Sequence, residues 1–206
     1  MSRCVIIAGA DIKDYSWVNE HLKEDDFFVY CDSGLKHLEY IKHEPNLIVG
    51  DFDSHERPDT GIETITLPCE KDDTDTFFAV KEMVARGYDS FVLVGVLGNR
   101  FDHSMANISI LLMLDSKGFE AIALDDYSQM EIVSSKTGMV EDSFSYFSVI
   151  NISGISEGVT IKNAKYEIEN ADISCDYQYG VSNEVIKGKT ASIEVKNGRV
   201  LLIKVR

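Results

Sequence analysis

Residues 91–124 read FVLVGVLGNRFDHSMANISILLMLDSKGFEAIAL. The Val-rich apolar run Phe91–Val96 leads into a short glycine-containing loop, a helical stretch follows, and a second apolar run closes the segment at Ala121–Leu124. Phe101–Lys117 carries the clearest helical signal, because Phe101, Met105, Ile108 and Leu112 recur at spacings of three and four. That spacing predicts a single apolar face along the helix. Val- and Ile-rich strands followed by helices are the pattern of a mostly parallel sheet flanked by helices.

The same grammar extends toward the N-terminus. Cys4–Ala8, Phe27–Cys31, Leu47–Gly50 and Glu63–Leu67 are predicted strands. Leu35–Lys42 and Thr74–Arg86 are predicted helices, the second closed by Gly87 as a C-terminal cap. After about Asp126 the helical period stops. Predicted strands there are Glu131–Ser134, Tyr146–Ile152, Val159–Ile161, Tyr166–Ile168 and a terminal pair, Ala191–Lys196 and Arg199–Val205. Asn197-Gly198 between the last two predicts a hairpin. The expected architecture is an α/β domain over 1–127 followed by a small all-β sandwich domain over 128–206.

Composition narrows the partners. The 206 residues carry a net charge of −15 at pH 7, which argues against nucleic acid and against anionic membrane surfaces. Cys4, Cys31, Cys69 and Cys175 are widely scattered, with no zinc-type spacing, and are read as reduced thiols. The N-terminus has no charged stretch leading into a long apolar run, so a soluble, cytoplasmic protein is expected.

The chemistry gathers at predicted strand ends. Leu47–Gly50 runs into Asp51-Phe52-Asp53-Ser54, and an extended backbone there would project Asp51 and Asp53 to one side. Lys71-Asp72-Asp73-Thr74-Asp75 opens a helix, and Asp32-Ser33-Gly34 ends a strand. In an open parallel sheet, strand C-termini share the ligand-binding edge, so these groups converge. Any one Asp is equally well explained as a helix cap or turn former. Several on one rim are costly, since two carboxylates about 5 Å apart repel by roughly 3 kcal/mol at an effective dielectric of about 20. A hard cation such as Mg²⁺, arriving with phosphate oxygens, relieves that repulsion.

A second constellation is Gly95-Val96-Leu97-Gly98-Asn99-Arg100-Phe101-Asp102-His103, with Asn107 one turn beyond His103. Glycines permit close backbone approach, helix N-terminal amides favour anions, and Arg100 offers a planar fork for phosphate. The segment is not a Walker loop, because the Gly-Lys-Ser/Thr ending is missing. Taken alone, Asp102 reads more often as a helix cap and His103 more often as a capping or core residue.

These motifs, in this order, resemble the bacterial thiamine pyrophosphokinases, and Gly180-Val181-Ser182-Asn183-Glu184 resembles that family's C-terminal motif. The resemblance implies transfer of pyrophosphate from Mg-ATP to the thiamine hydroxyl, giving thiamine diphosphate and AMP. It implies Mg²⁺, or Mn²⁺, on Asp51, Asp53 and Asp75, with catalytic roles for Asp53, Asp75, Arg100 and Lys71. ATP would meet Asp32, Gly34, Asp51, Gly98, Arg100, Asp102, His103 and Asn107. Thiamine would meet Asp72, Ser182 and Asn183, at sites shared between the two subunits of a homodimer. Without the resemblance, Ser182-Asn183 reads as a turn before a strand Glu184–Ile186. The chain departs from the family pattern at Ala10, Ser33, Asn99 and Phe77, none of which is a proposed metal ligand. A metal-dependent phosphohydrolase and a non-catalytic thiamine or nucleotide sensor are the alternatives.

Overall fold

The computed structural model describes residues 3–52, 61–70, 72–98, 100–178 and 180–206. Asp53, Ser54, Lys71 and Asn99 therefore lie outside the described residues. The chain divides into two compact units, Met1–Asp126 and Tyr127–Arg206.

In the first unit the strands are β1 (Arg3–Ile7), β2 (Phe27–Cys31), β3 (Leu47–Gly50), β4 (Thr64–Thr66), β5 (Ser90–Val94) and β6 (Glu120–Leu124). They lie in the order β4-β3-β2-β1-β5-β6 and every pairing is parallel. The helices are α1 (Tyr15–Glu20), α2 (Leu38–Ile41), α3 (Asp75–Ala85) and α4 (Phe101–Ser116), with a 3-10 turn at Asp32–His37. The predicted helix Leu35–Lys42 is thus divided between that turn and the single turn of α2. Val5, Ile7, Tyr30, Val92 and Leu124 are buried in one cluster. Each such side chain contributes about 1.5–3 kcal/mol, which is why the strands read as continuous apolar runs.

Helix ends follow local chemistry. Thr74 caps α3 by accepting the Phe77 N–H on Oγ1 at 3.2 Å. At the other end Gly87 takes φ +93°, and the Gly87 and Tyr88 amides return to Val84 and Met83 carbonyls at 3.0 and 3.1 Å. Gly118, at φ +79°, ends α4 in the same way.

Helix α4 corrects the periodicity reading. Its buried residues are Ser104, Asn107, Ile110, Leu111 and Leu114, whereas Phe101 is 74% and Met105 48% exposed. The inward face begins with two polar residues because they bond the neighbouring loop, and a hydrophobicity count assigns those positions to solvent.

The second unit is made of β7 (Ser128–Val133), β8 (Gly138–Glu141), β9 (Tyr146–Asn151), β10 (Ile155–Lys162), β11 (Ile168–Ser174), β12 (Thr190–Glu194) and β13 (Val200–Val205). One layer runs β7-β13-β9 and the other β11-β10-β12-β8. Phe147, Val149, Leu202, Ile161 and Ile193 meet in a shared core, as a sandwich requires. The Asn197-Gly198 hairpin does not form, because β12 pairs with β10 and β8 while β13 pairs with β7 and β9. Gly198, at φ +98°, instead carries the chain from one layer to the other, with its α-carbon packed beside Ser156. The predicted strand at Glu184–Ile186 is absent; Asn183 and Val185 make only isolated bridges, to Phe147 and Ala164.

Candidate active site

Strand order places the site. β1 lies between β2 and β5, so the chain runs outward in opposite directions from the β1–β5 seam. Loops leaving the two strands diverge there and open a crevice at their C-terminal ends. A cavity of about 320 Å³ occupies it, lined by the loops after β1, β2 and β5 and the first turns of α3 and α4. Of the residues expected at the site, Asp32, Asp75, Gly98, Arg100, His103 and Asn107 line this cavity.

Close backbone packing forms its floor. The Ala8 and Ala10 amides donate to the Val94 and Gly95 carbonyls, both at 2.8 Å, so the loops after β1 and β5 run together. Gly95 has φ +63°, and a Cβ there would lie 2.3 Å from the Ala8 carbonyl oxygen. Gly34 is equally restricted, with a Cβ 2.3 Å from the Ile7 carbonyl oxygen. Gly95→Ala is expected to destabilise the protein by about 2–4 kcal/mol in urea unfolding, combining left-handed strain with overpacking. Gly87→Ala, where a Cβ would meet nothing within 4 Å, should cost only the conformational part of about 1–2 kcal/mol. Equal losses at the two sites would contradict the packing account.

Several residues hold these loops in roles that the sequence did not disclose. Ser104 Oγ accepts the Gly98 N–H at 3.0 Å and donates to the Arg100 carbonyl at 3.1 Å. Asn107, expected at the nucleotide, is 7% exposed, and its Nδ2 donates to the Val96 carbonyl at 2.6 Å. Asp126 Oδ1 accepts the Lys13 and Asp14 amides at 2.8 and 3.1 Å, fixing the far end of the loop after β1. The sequence signal for all three is weak, since a polar residue on a helix or after a strand does not disclose its distant backbone partner.

Charge at the rim is arranged unexpectedly. The Arg100 guanidinium bonds both oxygens of Asp102, at 2.7 and 3.0 Å, and both side chains are exposed. That hydrogen-bonded guanidinium holds the Asp102 carboxyl well below the usual carboxylate range. Lys36 similarly bonds Asp11 at 2.6 Å. Two cations near the cavity are thus paired with carboxylates, and Asp32 and Asp75 also line it.

Asp32 has the left-handed φ of +40°, and its Oδ1 is buried without a hydrogen-bond partner among the described residues. Such a carboxylate oxygen is costly unless a cation or donor meets it. Asp51 is half-buried just after β3, and Phe52 follows at φ +52°. The backbone at Phe52 is left-handed instead of extended, and the expected alignment of Asp51 with Asp53 involves a residue outside the described ones. Among the described residues no three His, Cys, Asp or Glu side chains are grouped closely enough to hold a metal. Asp72 is exposed, and the neighbouring Asp73 pairs with Lys81, whose Nζ lies 5.0 Å from the centre of the Phe77 ring. Phe77 therefore packs under a lysine.

In the second unit, residues 180–183 run along the edge of β9. Phe147 and Asn183 exchange both backbone bonds, at 2.9 and 2.8 Å, and the Val149 amide donates to the Gly180 carbonyl at 2.7 Å. Two residues, Val181 and Ser182, thus oppose the single Ser148, which makes a β-bulge. Ser182 sits at φ +57° with its side chain on the exposed surface. Asn183, by contrast, is 4% exposed. Its Oδ1 accepts the Tyr166 and Glu184 amides at 3.0 and 2.9 Å, and its Nδ2 donates to the Tyr166 carbonyl at 2.8 Å. The geometry gives Asn183 the task of holding the segment.

A parallel sheet with a carboxylate-bearing cavity at its switch point places the first unit in the class of doubly wound α/β proteins that bind ligands in that crevice. Residues 18–123 match the family described as thiamin pyrophosphokinase, catalytic domain, and residues 132–200 match the thiamin pyrophosphokinase vitamin B1 binding domain. The chain belongs to the thiamine pyrophosphokinase family and is an enzyme with that activity. It is 27% identical to Thiamin pyrophosphokinase 1 of Caenorhabditis elegans over 185 residues, 83% of this chain and 73% of that protein. The crystal structure of thiamine pyrophosphokinase from Bacillus subtilis superposes with a TM-score of 0.87, at 21% identity and 99% coverage of both chains. A family protein from Enterococcus faecalis gives a TM-score of 0.82 at 26% identity, covering 100% of this chain and 99% of that one.

Proposed function

We propose that this enzyme draws its pyrophosphoryl group from ATP bound, with Mg²⁺ or Mn²⁺, in the cavity at the β1–β5 seam. The observation that carries the reading is the cavity's charge: Asp32 and Asp75 line it, while Arg100 and Lys36 are already paired with other carboxylates. A polyphosphate enters an acidic cavity only with a cation to reverse the field. Asp51, Asp53 and Asp75 are the proposed metal ligands, an all-oxygen set that suits a hard ion, and the ion would offset charge on the phosphate oxygens. Asp32 and Gly34 shape the nucleotide edge, with Gly98 in the loop after β5 and Asp102, His103 and Asn107 on α4 opposite. Arg100, once released from Asp102, and Lys71 supply positive charge to the phosphates. The thiamine hydroxyl attacks the β-phosphorus in line and AMP leaves. Positioning and electrostatics account for most of the acceleration.

Thiamine recognition is assigned to Asp72 and to the exposed Ser182 hydroxyl, with Asn183 fixing the bulge that carries it. We further propose a homodimer in which the β unit of one subunit supplies Ser182 to the acidic cavity of its partner. No helix among the described residues is long and apolar enough to cross a membrane. A cytoplasmic location is part of the proposal.

The test is product analysis. Enzyme, thiamine and Mg-ATP are expected to yield thiamine diphosphate and AMP in equal amounts, without ADP. Stoichiometric ADP with thiamine monophosphate would make the protein an ordinary kinase. Free phosphate with unmodified thiamine would make it a hydrolase.

A further inference from the structure

The bulge at Val181–Ser182 poses a mechanical problem. A non-glycine residue at φ +57° is strained, and an extra residue on an edge strand leaves backbone groups unpaired. Something must hold Ser182 in this conformation. The Ser182 amide, which has no counterpart on the β9 backbone, donates to the Ser148 side-chain Oγ at 3.1 Å. Ser148 lies on β9 opposite the bulge, is 8% exposed, and pairs through its backbone with Ile203 on β13. Its hydroxyl therefore joins the bulge to a strand bonded on both sides. On either flank the segment is already fixed, by the Phe147–Asn183 exchange and by the Val149–Gly180 bond, where a Cβ on Gly180 would lie 2.4 Å from the Val149 carbonyl oxygen. Between those anchors the Ser148 hydroxyl is the side-chain group that meets the Ser182 backbone.

From this we infer that Ser148 is a positioning residue for thiamine recognition: its hydroxyl sets the backbone at Ser182, and so the direction in which the Ser182 hydroxyl is offered to the ligand. The inference rests on the proposed reading that Ser182 meets thiamine. Ser148 itself touches no substrate. Removing its hydroxyl leaves the strand intact and releases the bulge, so the loss should fall on thiamine and spare ATP.

The experiment compares whole-protein variants by the KM for thiamine, the KM for ATP, kcat and thermal melting. Ser148→Ala is expected to raise the thiamine KM about 2- to 10-fold, the range of one neutral hydrogen bond, with the ATP KM unchanged. Ser148→Thr and Ser148→Val have the same shape and differ in the hydroxyl, so any overpacking is common to both. The Thr variant should keep a lower thiamine KM than the Val variant, even where Ala substitution impairs folding. On a Ser182→Ala background the Ser148→Ala change should add nothing further, since it acts through Ser182. Equal thiamine KM values for the Thr and Val variants would overturn the inference, as would a parallel rise in both substrates' KM values. If Ser182→Ala alone leaves the thiamine KM unchanged, the reading of Ser182 as a thiamine contact fails. If Ser182→Ala raises it while Ser148→Ala does not, that reading stands and the role of Ser148 fails.

Discussion

Asp75→Asn is expected to lower turnover by about 10²–10³-fold while the protein stays folded. Asp75 opens α3 directly after the Thr74 cap and faces the cavity that Asp32 also lines. Asparagine preserves shape and hydrogen-bonding capacity but removes the negative charge that a divalent ion requires. The helix loses a favourable interaction with its N-terminal dipole, typically 0.3–1 kcal/mol, and the melting temperature should fall by a few degrees. Asp53→Asn is expected to match the loss of turnover, and chelation of divalent ions should abolish turnover of the unmodified enzyme. The decisive measurement is steady-state turnover with and without chelator, beside a melting curve for each variant. Near-normal rates in Asp75→Asn would remove this carboxylate from the proposed metal set.

Mixing two disabled chains should restore activity if sites are shared between subunits. Asp75→Asn disables the acidic cavity, and Asn183→Ala frees the segment that presents Ser182 by deleting three bonds to neighbouring backbone. In a two-fold symmetric dimer with shared sites, a heterodimer of these chains holds one doubly defective site and one intact site. Statistical exchange makes about half of all dimers hetero, so the mixture should recover about a quarter of wild-type activity. Each parent alone is expected to stay near background. The measurement is activity before and after subunit exchange, with heterodimer formation verified by differently tagged chains. A verified heterodimer without activity would mean that each site is built from one chain, as would a fully active wild-type monomer.

The boundaries of β2 and β3 were legible to the residue, because strands buried on both faces appear as uninterrupted apolar runs. The start of α3 was legible because Thr74 and the following acid are a local capping signal. Where the structure departs from the reading, the deciding interaction lies outside the element whose pattern was read. Asn197-Gly198 has strong hairpin chemistry, yet β12 and β13 each find better partners elsewhere in the sandwich. Phe101 and Met105 form an apolar stripe, yet α4 turns Ser104 and Asn107 inward because the loop after β5 needs their hydrogen bonds.

The active-site motifs show the same division. Which residues carry the chemistry was determined by the sequence alone, since Asp, Arg and glycine have side-chain properties that hold in any fold. How those residues are employed was decided by tertiary structure. The left-handed turn at Phe52 after Asp51 and the burial of the Asn183 amide depend on backbone direction at each point. So does the bond from the Ser182 amide to Ser148, 34 residues apart. Backbone direction is set by packing between segments far apart in the chain, and a local pattern of residue types holds no record of it.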